Sequence, residues 1–416
     1  MIFRHEDHGI EFPTVRVEEG DASLLVPAIG PSEVEHIDRA RSQAPVFFNP
    51  MQKMNRDSAV LALGALQRRL PRNLVACEPM CGTGVRGIRL ALEVGGLERV
   101  ILGDLNPLAV RLAEANASMN GVSEKVEVRH LEANLLLSLH AGPLRRFDYV
   151  DIDPYGTPAP FLDAAVRSCR KDGLLALTAT DMAPLCGVNP RACLRKYGGR
   201  PLRTRYCHEL AIRLVTGALV STAARHGAAA RPVFSYTADH YVRLYAMFER
   251  GARKADRCLA EMGYVLHCFS CLNRRAVSRR VDLETASCDV CGSKMGAAGP
   301  LWLGDLAEES FCDEMLKISE KSVISSNRKL MDVITLVRDE IGFPPGFFDV
   351  DGLCSKLGIP SVEADGVLAA LRVTGFESVR THINRRGIKT DARAPDLEKI
   401  LRAISRGGGE GGGNVA

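Results

Sequence analysis

Apolar and polar positions change their period several times along this chain, and the changes outline its elements. Between Leu74 and Ala179, short apolar runs alternate with longer stretches of helical period. Leu74-Val75-Ala76-Cys77-Glu78 reads as a buried strand, Gly84 to Val94 as a helix, and Arg99-Val100-Ile101-Leu102-Gly103-Asp104 as a second strand. Asn106-Pro107 opens a second helix, because the fixed φ of proline suits a first turn. Val126–His130, Phe147–Ile152 and Gly173–Ala179 are the next strands. A long helix near Cys207–Arg225 follows, and then Pro232–Thr237 and Tyr241–Phe248 read as an antiparallel pair. Such alternation makes an α/β domain around a largely parallel sheet.

The flanks read differently. Residues 1–45 are polar and mixed, irregular or a short hairpin. A helix ending near Leu70 follows, with Asp57 or Ser58 as its cap. Residues 258–300 carry paired cysteines. Beyond them helical periods return at Lys329–Ile341, Val350–Leu357 and Ser361–Thr374, ending in a basic, strand-like Val379–Lys389. The expected division is 1–255 for the α/β domain with its N-terminal extension, 256–310 for the cysteine module, 311–405 for a small α+β, winged-helix-like module, and 406–416 for a glycine-rich, disordered tail.

Bulk properties narrow the picture only a little. At 416 residues, 46% hydrophobic and 25% charged, the chain can bury more than one core. Its net charge of +4 does not by itself imply a nucleic-acid partner. The start lacks the apolar stretch of a secretory signal, no run is long enough to span a membrane, and the 13 cysteines are odd in number and scattered. The expectation is a cytoplasmic protein with reduced thiols, no membrane attachment and no obligate protein partner.

Chemistry enters at Glu78-Pro79-Met80-Cys81-Gly82-Thr83-Gly84, between the first strand and its helix. Glu78 precedes the loop, and glycines at 82 and 84 allow positive φ and close approach of a ligand. Asp104 ends the next strand, where ribose-binding acids sit, and Glu132-Ala133 follow the third strand, where they would flank an adenine. NAD is one candidate ligand, since Gly82-Thr83-Gly84-Val85-Arg86-Gly87 satisfies its fingerprint. The acid four residues before Gly82, the absence of a hydride-transfer site and the closing hairpin favour S-adenosylmethionine. The fold reading is then α/β with a Rossmann-type methyltransferase core.

Asp151-Ile152-Asp153-Pro154-Tyr155-Gly156 follows the fourth strand. An amine attached to a base is a poor nucleophile because its lone pair is delocalised. It needs alignment with the methyl donor and an acceptor for its hydrogens. Asp153 can be that acceptor, and Tyr155 offers a face for an extruded base. The plain alternative is an ordinary β-turn. Two acids at the end of an apolar strand weigh against it, since their burial needs partners or a purpose.

Cys268-x-x-Cys271 and Cys288-x-x-Cys291 have the spacing of a four-cysteine site, which implies a structural rather than a catalytic zinc. Basic residues cluster at Arg191, Arg195, Lys196, Arg200, Arg203 and Arg205, at Arg274, Arg275, Arg279 and Arg280, and at Arg380, Arg385, Arg386 and Lys389. Each group alone reads as a solvated face. Together they point to RNA phosphates.

These motifs lead to a family. PVFFNPMQKMNRD (45–57), DIDPYGTPAPFLDAA (151–165), KYGGRPLRTRYCHE (196–209), GPLWLG (299–304) and THINRRGIKTDA (381–392) resemble the tRNA (guanine(26)-N(2))-dimethyltransferases of the archaeal and eukaryotic type. The resemblance implies stepwise formation of N(2)-methyl- and N(2),N(2)-dimethylguanosine, with tRNA as partner and a C-terminal unit that positions RNA. It implies that Arg56 lies beside the carboxylate of the cofactor, that Arg86, Asp104, Glu132 and Ala133 are further cofactor positions, and that Asp153 is catalytic. Phe47 and Tyr155 would pack the base. The chain departs from the family's frequent Asp-Pro-Phe-Gly-Ser-Pro at Tyr155 and Thr157. The alternatives are a DNA or rRNA amino-methyltransferase, or a non-catalytic, zinc-containing RNA-binding protein.

Overall fold

The structure, a computed structural model, describes residues 10–28, 43–238, 240–278 and 285–407. It opens with an antiparallel hairpin, β1 (Thr14–Glu19) and β2 (Ala22–Pro27). Then α1 (Lys53–Arg69) leads into β3 (Leu74–Glu78), α2 (Val85–Glu93), β4 (Leu97–Asp104), α3 (Pro107–Met119), β5 (Val126–His130), α4 (Ala133–Leu139), β6 (Phe147–Ile152), α5 (Leu162–Ser168) and β7 (Cys169–Ala179). Two short helices, α6 (Met182–Leu185) and α7 (Pro190–Tyr197), precede the long α8 (Cys207–Arg225) and the hairpin β8 (Ala228–Ala238) and β9 (Tyr241–Arg250).

Seven strands pair in the order β5-β4-β3-β6-β7-β9-β8. The first five run parallel, and β9 is antiparallel to both β7 and β8. Every residue of β3 and β6 is buried, as expected where helices cover both faces of a parallel sheet. One face packs on α1, α2 and α3, the other on α4, α5 and α8.

α1 starts at Lys53, so Asp57 and Ser58 are not its cap. The cap-like acid is a buried charge partner: its carboxylate meets Arg89 at 2.7 Å and Lys53 at 2.9 Å. α1 has no side-chain cap; Asn49 caps the short 3-10 turn Pro50–Gln52 that leads into it, by accepting a hydrogen bond from the N–H of Met51.

Past the main sheet come α9 (Ala252–Ala260) and a three-stranded antiparallel sheet of β10 (Met262–His267), β11 (Arg274–Ser278) and β12 (Gly296–Trp302). Gly217 of α8 lets β12 approach, since a Cβ there would stand 3.2 Å from the Leu301 Cα. Next are α10 (Glu309–Ser319) and α11 (Arg328–Asp339). Phe311, Met315, Leu330, Ile334 and Val337 join the core around α1 and β8. The division expected at 310/311 therefore cuts through a shared core. A separate core begins only at Phe348.

That last unit is β13 (Phe348–Asp349), α12 (Val350–Leu357), α13 (Ala364–Val373), β14 (Ser378–Arg380), β15 (Gly387–Thr390) and α14 (Ala394–Gly407), with strand order β13-β15-β14. The basic segment read as one strand is two, because Asn384 accepts the N–H of Arg386 and Gly387 donates back to the Asn384 carbonyl, which turns the chain. The tail expected from 406 is helical to Gly407, and residues 408–416 lie outside the described residues. No helix among the described residues is long and apolar enough to cross a membrane.

Buried charges join the last unit to the α/β domain. Lys389 of β15 meets Glu209 of α8 at 3.0 Å and Glu340 at 3.7 Å, and Glu340 also pairs with His382 at 2.7 Å. Burial alone would raise the Glu209 carboxyl, but Lys389 and Arg213 outweigh it and hold it at about 2. Lys389 is thus withdrawn from the basic group assigned to phosphates. Lys389→Met leaves two buried carboxylates short of a cation and should lower stability by about 3–5 kcal/mol, read as a lower denaturant midpoint at pH 7. The Glu209 carboxyl is depressed on folding, so its contribution is full above a pH of about 4.5 and fades toward 2. The gap between variant and parent should narrow over that range.

Candidate active site

Four adjacent strands end side by side, and each delivers a polar residue. β3 runs into the glycine loop, β4 ends in Asp104, β5 precedes Glu132, and β6 precedes Asp153. The chain lays β4 and β5 on one side of β3 and then crosses to place β6 on the other. The crevice at the carboxyl ends of such a switch point is where open α/β sheets bind ligands.

The loop needs both of its glycines. Gly82 and Gly84 have φ of 53° and 77°. A Cβ on Gly82 would stand 3.0 Å from the Phe47 carbonyl oxygen, and one on Gly84 3.0 Å from the Ala113 side chain. Asp104 braces the loop by accepting the N–H of Gly82 at 2.9 Å and that of Asn106 at 2.9 Å. Asn116 donates to the Thr83 carbonyl. Asn106 also donates to the Pro45 carbonyl at 2.7 Å, which draws the segment carrying Phe47 over the loop. The Phe47 ring is exposed there. Glu132 caps α4 by accepting the N–H of Leu135, and Ala133 is that helix's first, buried residue.

Beside the loop lies a buried charge cluster. Arg86, on α2, donates to Glu78 at 2.9 Å and to Asn55 at 2.7 Å, stands 3.2 Å from Asp151, and pairs with Asp153. Arg243, on β9, grips Asp151 through two N–H groups at 2.8 and 2.6 Å. Burial alone would raise the Asp151 carboxyl, but Arg243 and then Arg86 hold it below the usual carboxylate range. Three carboxylates therefore face two guanidiniums, an excess of one negative charge when all are ionised. Glu78 carries the strain of that excess. Burial pushes its carboxyl up to about 7 against the pull of Arg86, and Asp151 and Asp153 add to the rise.

The turn after β6 is held from below and open above. Gly156 has φ 94°, its N–H donates to the Thr180 hydroxyl at 2.9 Å, and its carbonyl accepts the Thr180 N–H at 2.8 Å. Thr157 donates to the Tyr197 hydroxyl, which donates to Asp181 at 2.5 Å. Asp153 is consequently tucked in, its side chain 9% exposed, whereas Tyr155 stands 90% exposed on the crest.

Of the residues anticipated from sequence, Glu78, Arg86 and Asp153 form one bonded cluster, with Gly82, Gly84, Asp104 and Phe47 around the adjoining loop. Arg56 lies outside that cluster. Its guanidinium is bidentate on Glu19 at 2.6 and 2.5 Å and donates to the Asn49 carbonyl at 3.1 Å. Sequence reasoning missed Asn55, which joins Arg86 to Thr178, and Arg243. A signal for Arg243 existed: a lone cation in the apolar run Tyr241–Phe248 answers the buried acid Asp151 near the end of β6.

The four cysteines converge, with Cys268 and Cys291 sulfurs 3.4 Å apart and Cys271 and Cys288 likewise 3.4 Å apart. Each pair closes a matching turn, Leu272 donating to the Cys268 carbonyl and Gly292 to that of Cys288, with φ of 62° and 73°. In the first basic group all six side chains are exposed on α7 and the loop after it. Arg274 is not free for phosphates: it lies 3.7 Å over the Phe348 ring and donates to the Phe347 carbonyl. Arg380 and Arg386 pair with Asp365 and Asp351. Arg279 and Arg280 lie outside the described residues.

Known proteins resemble this chain over nearly its whole length. A model of the family described as N2,N2-dimethylguanosine tRNA methyltransferase matches residues 27–402. The chain is 39% identical over 390 residues to a tRNA (guanine(26)-N(2))-dimethyltransferase of Methanothermobacter thermautotrophicus, covering 94% of this chain and 99% of that protein. It is 34% identical to a tRNA (guanine(26)-N(2)/guanine(27)-N(2))-dimethyltransferase of Aquifex aeolicus, covering 93% and 96%. The solved structure of Trm1 from Pyrococcus horikoshii with S-adenosyl-L-methionine superposes with a TM-score of 0.81 at 31% identity, covering 93% of this chain and 99% of that one. Motifs, sheet order and full-length similarity converge: the chain belongs to the N2,N2-dimethylguanosine tRNA methyltransferase family.

Proposed function

We propose that this protein transfers methyl groups from S-adenosylmethionine to the exocyclic amino group of guanine 26 in tRNA, giving first N(2)-methyl- and then N(2),N(2)-dimethylguanosine. The observation that carries the reading is the tucked Asp153 carboxylate beside a side-chain-free glycine cradle, under an exposed Tyr155.

The residues present suit the cofactor. A carboxylate has about four acceptor sites, and Asp104 uses two on backbone N–H groups, which leaves capacity for ribose hydroxyls. Glu132 and Ala133 border the adenine position. Arg56 would take the cofactor's carboxylate with the N–H groups not engaged by Glu19 and Asn49. The cofactor supplies an electrophilic methyl on a positively charged sulfur.

The chain supplies placement and a proton acceptor. Phe47 and Tyr155 sandwich the extruded guanine, and stacking fixes its plane. Arg86 occupies Oδ2 of Asp153, so Oδ1 is presented to the amine. That oxygen accepts an amino hydrogen, aims the nitrogen lone pair and takes up the proton as the new N–C bond forms. After the first transfer one amino hydrogen remains, so the same contact serves the second. The exposed arginines of α7 and the following loop track backbone phosphates and recognise tRNA by shape. The last unit, with its strand–helix–helix–strand–strand–helix order, is a winged-helix-like module that positions the RNA. The four cysteines hold a structural zinc.

Asp153→Asn should cut kcat by about two to four orders of magnitude while leaving cofactor affinity largely unchanged. Nucleoside mass spectrometry with position mapping reads the product. Turnover at the parent rate, or methyl groups found only away from guanines 26 and 27, would sink the assignment.

Cofactor binding should also depend on pH. A sulfonium cation settling near the surplus negative charge favours ionised Glu78, so affinity should rise with pH through about 7 and fall by up to about tenfold per unit below it. S-adenosylhomocysteine, with neutral sulfur, should show a shallower dependence. Calorimetry at pH 6, 7 and 8 compares the two, and parallel profiles count against the charge-cluster role. Cys271→Ser should release the zinc held by the four-cysteine set and lower the melting temperature, with elemental analysis as the readout.

A further inference from the structure

A second group of metal-ligating side chains converges among the described residues, away from the charge cluster and the four-cysteine set. Cys186, Cys207 and His208 are all half-buried, and one ligand atom from each lies within 4.8 Å of the other two. The Cys207 sulfur is 3.8 Å from Nδ1 of His208. Neither cysteine is in a disulfide.

The fold brings these residues together across a long loop. Cys186 directly follows α6, whereas Cys207 and His208 are the first two residues of α8. Gly187 makes the approach possible: it has φ 89°, and a Cβ there would stand 3.0 Å from the Arg203 backbone nitrogen. A larger residue would hold the two ends of the loop apart.

Two sulfurs and an imidazole select a thiophilic divalent ion. Tetrahedral zinc, with bonds of about 2.3 Å to sulfur and about 2.0 Å to nitrogen, sets ligand separations of roughly 3.4–3.8 Å. The observed spacings reach that geometry by small side-chain rotations. Three protein ligands leave one position open to water.

We propose that Cys186, Cys207 and His208 form a second zinc site, of Cys2His type, which clamps residues 187–206 at their base. The clamped loop carries all six exposed cations of the first basic group and is tied to the catalytic turn through Tyr197 and Thr157. Zinc there orders the surface beside the catalytic turn. That surface's role toward tRNA rests on the function proposed above, but the metal site does not.

Elemental analysis of the full-length protein, purified without chelator and dialysed against low zinc, tests the site. The parent should hold about two zinc ions per chain, and Cys186→Ser and Cys207→Ser about one each. Limited proteolysis within 187–206 should be faster in both variants. Alkylation followed by peptide mass spectrometry gives a second readout on the unaltered chain: zinc should protect Cys186 and Cys207, and chelator should expose them. A parent holding one zinc with Cys186 and Cys207 alkylated equally with and without it overturns the proposal, whatever the catalytic outcome. Should the variants misfold and lose all metal, the protection pattern of the parent decides.

Discussion

The site depends on one buried guanidinium. Arg86 sits under the carboxyl edge of the sheet and touches Glu78, Asp151 and Asp153. Without it, three acids would be forced together in a region of low dielectric, where an unpaired charge costs several kcal/mol. With it, Asp153 is held at a set position, and Glu78 and Asp151 can sit in fully buried strands. Arg243 adds a second cation from β9, so the antiparallel hairpin that closes the sheet also offsets part of the negative charge at its carboxyl edge. The topology and the electrostatics are therefore one arrangement.

The same economy governs the turn above. Thr180 and Tyr197 fasten the turn from Asp153 to Thr157 to the segment carrying the exposed arginines. The exposed basic segment and the turn carrying Asp153 thus share a mechanical connection through Asp181 and Tyr197. The C-terminal unit is coupled in a comparable way. Lys389 reaches from its sheet into the α/β core, so this unit is anchored by a charge rather than by a greasy patch alone. A buried ion pair adds little net stability over apolar packing, but it tolerates few alternative registers.

Much of the architecture was legible in the chain because parallel strands buried on both faces leave uninterrupted apolar runs. β3, β5 and β6 coincide with the runs read from sequence, and α8 and α12 begin and end where their periods do. The glycine loop, Asp104 and Asp153 were legible for another reason. Positive φ and the ends of strands impose residue types locally, whatever surrounds them. α10 and α14 have no counterpart among the helical periods read along the chain.

What tertiary structure alone decided was partnership. Asp57 looks like a helix cap and is a counter-ion of Arg89; Lys389 looks like a phosphate ligand and is a buried anchor; Arg274 looks exposed and lies on Phe348. Arg56 is engaged by Glu19, on a hairpin 37 residues earlier in the chain. Periodicity and turn chemistry are properties of neighbours in sequence, so the chain by itself specifies most of its elements, its glycine loop and the turn that carries Asp153. A charge takes its meaning from whichever opposite charge folding brings within a few ångströms, and no local pattern carries that information.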